Sequence, residues 1–105
     1  MVLNLWASWC LPCRTEIPEI SAFADNNPDY RVLGVAVDDS ETSATDFARS
    51  IGATYDLAVG DSDFESAYPR LGLPVTYFID SGGTVTDVFN GILNEATLIE
   101  LAPAD

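Results

Sequence analysis

A run of β-forming apolar residues, Val2 to Ala7, leads within three residues into Cys10-Leu11-Pro12-Cys13, and a helical pattern follows at once. That junction constrains the fold more than any other feature of the chain. The run reads as a buried strand, and Ser8-Trp9 turns the chain. Cys10 then stands at the start of a helix over Leu11 to Asp25, whose Ile17, Ile20 and Ala24 recur at helical spacing. Pro12 suits a first turn, where its missing N–H costs nothing, whereas Pro18 inside the helix predicts a kink. Unpaired N–H groups and the positive dipole end at a helix N-terminus favour an anion, so the spacing favours a thiolate at Cys10. Cys13, one turn later and expected to be more buried, is placed to attack a mixed disulfide formed on Cys10. The Leu11-Pro12 pair between them is expected to help set the redox potential.

The chain has 105 residues, two cysteines and no histidine. The missing histidine removes His-dependent triads, Cys-His nucleophiles and the usual zinc enzymes. One Cys pair falls short of the four ligands of a structural zinc or iron–sulfur site, so no metal is expected. A disulfide closing so short a loop constrains the unfolded chain little. Redox cycling between dithiol and disulfide remains the reading for Cys10 and Cys13.

The rest of the chain alternates strand and helix. Arg31 to Val37 reads as a second strand. Ala44, Phe47, Ala48 and Ile51 form an amphipathic stripe that Gly52 ends. Ser62-Asp63-Phe64-Glu65 matches a capping box for a short helix before Pro69. Val75 to Asp80 and Thr84 to Phe89 read as an antiparallel hairpin about Ser81-Gly82-Gly83, and Asn94 opens a last helix. The expected class is α/β: one domain over residues 1–105, a central mixed β-sheet with helices on both faces, and a parallel first βαβ unit.

With these elements in order, the segment Leu5-Trp6-Ala7-Ser8-Trp9-Cys10-Leu11-Pro12-Cys13-Arg14 resembles the active site of the thioredoxin superfamily, and within it the TlpA/ResA-type thiol-disulfide oxidoreductases of bacteria. Asn4 takes the place where cytosolic thioredoxins carry a buried aspartate. Glu16 matches a carboxylate this branch often carries near its thiols, and Pro18 the helix-kinking proline. Leu71-Gly72-Leu73-Pro74-Val75-Thr76 matches the loop before the third strand, with Pro74 as the implied cis-proline opposite the cysteines. The resemblance runs from Val2 to about Leu101. It implies a thioredoxin-like fold with Cys10 and Cys13 as the redox-active disulfide. It also implies an N-terminal strand-and-loop extension before Val2, so a trimmed domain lacking that extension is expected.

For substrate, the resemblance implies that Leu73 and Pro74 present backbone beside Cys10, with Trp9, Pro12 and Gly91 lining the same groove. Trp6, inside the strand, is expected in the core. Glu16 is a candidate to take the Cys13 proton, or else a solvated helix carboxylate. A buried Asn4 would serve by hydrogen bonding. Arg14 stands either as a thiolate partner or as a surface arginine, and Gly91 either as a close-approach position or as a turn residue.

Four arginines against 17 acids, with lysine absent, give a net charge of −13. That charge disfavours nucleic acid and anionic membrane surfaces as partners. It fits either a high-salt setting or a basic partner, and it opposes thiolate formation except where the helix dipole wins locally. No apolar run approaches the ~20 residues of a spanning helix. Met1 to Trp6 lacks the basic region of a signal peptide. The resulting expectation is an oxidoreductase that reduces or exchanges protein disulfides. It needs no cofactor, is monomeric, is served by an upstream thiol donor, and works outside the cytoplasm or from a membrane anchor. A non-catalytic binding module and a disulfide oxidase or isomerase are the alternatives. A peroxidase lacks its Pro-x-x-x-Thr-x-x-Cys setting here, and a copper-delivery module its histidine.

Overall fold

The computed structural model describes residues 1–103. Five strands form one sheet in the order β3-β2-β1-β4-β5. They are β1 (Val2–Trp6), β2 (Val32–Ala36), β3 (Asp56–Val59), β4 (Val75–Ile79) and β5 (Val85–Asn90). Four helices alternate with them: α1 (Leu11–Asn26), α2 (Glu41–Ser50), α3 (Ser62–Ala67) and α4 (Glu95–Leu101). β1 pairs parallel with β2 and antiparallel with β4, so the sheet is mixed. α1 runs uninterrupted through Pro18.

Two findings depart from the sequence reading. The strand β3 was not expected. Its four residues, Asp-Leu-Ala-Val, are all exposed and too few to show a period. Parallel pairing with β2, from Leu33↔Asp56 to Ala36↔Val59, makes it a strand. The cap of α3 is Asp61 rather than Ser62. The Asp61 carboxylate accepts from the Phe64 N–H at 2.8 Å, and Glu65, expected to close a capping box, pairs instead with Arg70 at 2.8 Å.

Alternation along β1 divides the interior. Val2 and Trp6 join α1, α2 and α4 through Ile17, Ile20, Phe23, Phe47 and Leu98. Leu3 and Leu5 face the other way, with Val35, Val37, Val75 and Tyr77, under Phe64 and Tyr68 beside α3. Helices therefore cover both faces, as expected, but unequally. On the first face the Trp6 indole meets Phe47 edge-on at 5.9 Å. Gly34, paired with Asn4, must lack a side chain, because a Cβ there would stand 2.8 Å from the Tyr55 ring.

Candidate active site

The site grows from the end of β1. Ala7 closes a turn by accepting the Cys10 N–H at 3.1 Å, and Cys10 becomes the N-cap of α1. Its Sγ accepts the Cys13 N–H at 3.2 Å, the position where a helix N-terminus offers an unpaired donor. Cys10 and Cys13 form a disulfide with their Cα atoms 5.3 Å apart. Cys10 is 4% and Cys13 0% exposed, so the order of burial expected from the spacing holds, by a narrow margin. The exposed Pro12 sits in the first turn, and no acidic residue there opposes a thiolate.

One turn beyond Cys13, Glu16 is fully buried. Its carboxylate accepts from the Asn4 amide at 2.7 Å and from the Leu93 N–H at 2.8 Å. Burial outweighs both bonds and pushes the Glu16 carboxyl from 4.5 up to about 7. Asn4 is buried too and also donates to Thr76 Oγ1 at 3.1 Å, so it does bond beneath the site. The Tyr55 hydroxyl is buried without a partner among the described residues, and burial together with the Glu16 charge pushes it up.

The register brings Pro74 to the same end of the sheet. Val75 pairs with Leu5, so Pro74 stands where β1 leaves toward Cys10. The Leu73-Pro74 bond is cis, and Leu73 packs against the cluster that holds both cysteines. Gly91 donates its N–H to the Pro74 carbonyl at 3.0 Å and has φ +115°, with the nearest contact for a Cβ 4.0 Å away. Backbone conformation, rather than close approach, accounts for that glycine. Trp9 is 57% exposed beside Cys10, and Trp6 lies in the core at 1%. Arg14 turns its guanidinium onto Phe47, 5.0 Å from the ring centre, and so serves packing.

The sequence reading missed Thr76, Leu93, Tyr55 and the Asp38-Asp39 turn. Thr76 had a weak signal: a polar residue in an apolar strand, registered against Asn4. The Leu93 contribution is a backbone N–H and leaves no mark in the sequence.

A family model described as AhpC/TSA matches residues 1–88. The chain belongs to the AhpC/TSA family. It is 27% identical over 99 residues to the thioredoxin-like protein YneN of Bacillus subtilis, covering 90% of this chain and 58% of that one. It is 30% identical over 99 residues to the thiol-disulfide oxidoreductase ResA of Geobacillus kaustophilus, covering 89% and 55%. The chain thus spans just over half the length of these relatives. A DsbF homologue from Corynebacterium diphtheriae superposes with a TM-score of 0.81 at 28% identity, over 94% of this chain and 67% of that one. A thiol:disulfide interchange protein of the thioredoxin family from Chlorobium tepidum gives 0.84 at 23% identity, over 96% and 77%. The fold is thioredoxin-like, as the resemblance implied.

Proposed function

We propose that this chain is a thiol-disulfide oxidoreductase that reduces or exchanges protein disulfides through Cys10 and Cys13. One observation carries the reading: a Cys10 sulfur capped by the Cys13 N–H, already joined to Cys13, one turn from a buried Glu16 whose carboxyl is pushed up to about 7. In the reduced form the Cys10 thiolate attacks one sulfur of a substrate disulfide, and the other sulfur leaves as a thiolate and takes up a proton. The Cys13 thiol gives its proton to Glu16, and the resulting thiolate attacks Cys10 Sγ. The second substrate sulfur leaves and the Cys10–Cys13 disulfide forms. Two electrons have then passed to the substrate, and an upstream dithiol donor returns them. Asn4 suits a neighbour that gains and loses a proton, because its amide donates as it stands and, turned over, offers Oδ1 to a protonated carboxyl.

The substrate chain lies along Trp9, Pro12, Leu73, Pro74 and Gly91. Direction depends on potential: a value near −270 mV marks a reductant and one near −120 mV an oxidase. We place the work outside the cytoplasm, where protein disulfides persist. Among the described residues, no helix is long and apolar enough to cross a membrane. The chain acts as a monomer.

Insulin reduction tests the reading. Cys10→Ser is expected to abolish turnover, and Cys13→Ser to accumulate a mixed disulfide visible as added mass. Full turnover by Cys10→Ser would remove Cys10 from the chemistry, and a parent chain that does not reduce insulin would leave a binding module in place of an enzyme.

A further inference from the structure

The turn that carries Cys10 is held from outside its own segment. Its corner residues are Ser8 and Trp9, and their bonds run to the turn after β2. The Asp39 carboxylate accepts the Ser8 N–H at 2.7 Å and the Ser8 hydroxyl at 2.9 Å. It also accepts the Ser40 N–H at 2.9 Å, so its position is fixed where α2 begins. The Trp9 indole N–H donates to the Asp38 carbonyl at 2.9 Å. Asp38 has φ +49° and is the one non-glycine residue in the left-handed region among those described. Side chains rarely adopt that conformation, and such residues persist where surrounding contacts over-determine them. The Asp38 N–H reaches Glu65 at 3.4 Å, which ties this turn to α3 as well.

We propose that Asp39 is a positioning residue for Cys10, clasping Ser8 so that the cysteine stays at the N-cap of α1 with its sulfur on the Cys13 N–H. The clasp deepens the oxidoreductase reading and rests on it for its consequence in turnover. Charge alone does not explain the residue. A carboxylate bonded two residues before Cys10 opposes a thiolate there, whereas the geometry it holds favours one. The two effects have opposite signs, so substitution separates them. Other charged groups of the elements that meet here are Asp38, Glu41 in the first turn of α2, Arg14 against Phe47, Glu16 beyond Cys13, and the Glu65–Arg70 pair.

The test follows Cys10 alkylation by iodoacetamide against pH in the reduced full chain, read by mass, beside insulin reduction. Asp39→Asn removes the charge and keeps a carbonyl oxygen for Ser8, so its alkylation midpoint falls below that of the parent. Asp39→Ala removes the clasp as well. Its midpoint rises above that of Asp39→Asn, and kcat for insulin falls by up to about a hundredfold, the scale of a misplaced reacting group. Ser8→Ala leaves the charge in place and cuts one of the clasp's bonds, so its midpoint rises by a smaller amount. If Asp39→Ala does not fold, Ser8→Ala decides alone. Equal midpoints for Asp39→Ala and Asp39→Asn, or an unmoved Ser8→Ala, overturn the clasp. A parent chain that does not reduce insulin overturns the oxidoreductase reading instead, and the alkylation midpoints still judge the clasp.

Discussion

The two faces of β1 are built from alternate residues of one strand; both are packed with apolar side chains, and one of them also buries a polar cluster. Leu3 and Leu5 enter a cluster of aliphatic side chains and Tyr77, covered by a single helix of six residues. Asn4, between them, points to the other face and meets Glu16 and Thr76, all buried. A buried carboxylate costs several kcal/mol unless bonded, and its ionised form stays disfavoured. The difference teaches where each face is committed. The Leu3 and Leu5 face is apolar throughout and imposes no chemistry. The other face adds to its apolar core a buried titratable carboxyl, Glu16, one turn from Cys13.

Three substitutions break or sharpen that contrast. Leu5→Ala on the Leu3 and Leu5 face is expected to cost about 4 kcal/mol in urea unfolding, because the side chain is fully buried and its removal leaves a cavity. The alkylation profile of Cys10 should stay unchanged, and a shift in it would mean that the faces are coupled. Glu16→Gln on the polar face should lower insulin reduction at pH 7 about a hundredfold, by loss of the proton acceptor. Its stability signature has a definite sign. The folded carboxyl is pushed up to about 7 from 4.5, so the native state holds the extra proton between those values. The stability this adds is complete below 4.5 and is lost as pH rises to about 7. Urea unfolding of the parent relative to Glu16→Gln should therefore decline across that window, by on the order of 3 kcal/mol, and level off above it. A flat difference would remove the buried-acid account. Gly91→Ala has the smallest effect. A Cβ there would make only an ordinary contact, 4.0 Å from the Phe89 ring, so the cost is the φ of +115°, about 1 kcal/mol in thermal unfolding. A larger loss would show that neighbours of Gly91, the Phe89 ring first among them, resist a side chain there.

Most of the architecture was legible because each long element carries its own period. The stripe at Ala44, Phe47 and Ala48 is the buried side of α2, and Asn94 caps α4 through the Thr97 N–H at 2.8 Å. What stayed hidden was short or relational. β3 has too few residues for a pattern and exists through pairing with β2. Asp61 took the cap expected of Ser62, because adjacent residues were equally able to accept and the Arg70 contact drew Glu65 away. Arg14 could not be assigned in advance, since its choice between thiol and ring depended on where α2 set Phe47.

By itself the sequence determined that a sulfur would cap a helix at the end of a strand with a second sulfur one turn on, because backbone geometry converts spacing directly into position within an element. Tertiary structure alone decided that Glu16 would be dry, that Leu93 and Asn4 would be its donors, and that Asp39 would grip Ser8 from 31 residues away. Those bonds join segments whose separation in the chain carries no period, so only the packing of the sheet and helices fixes which groups meet.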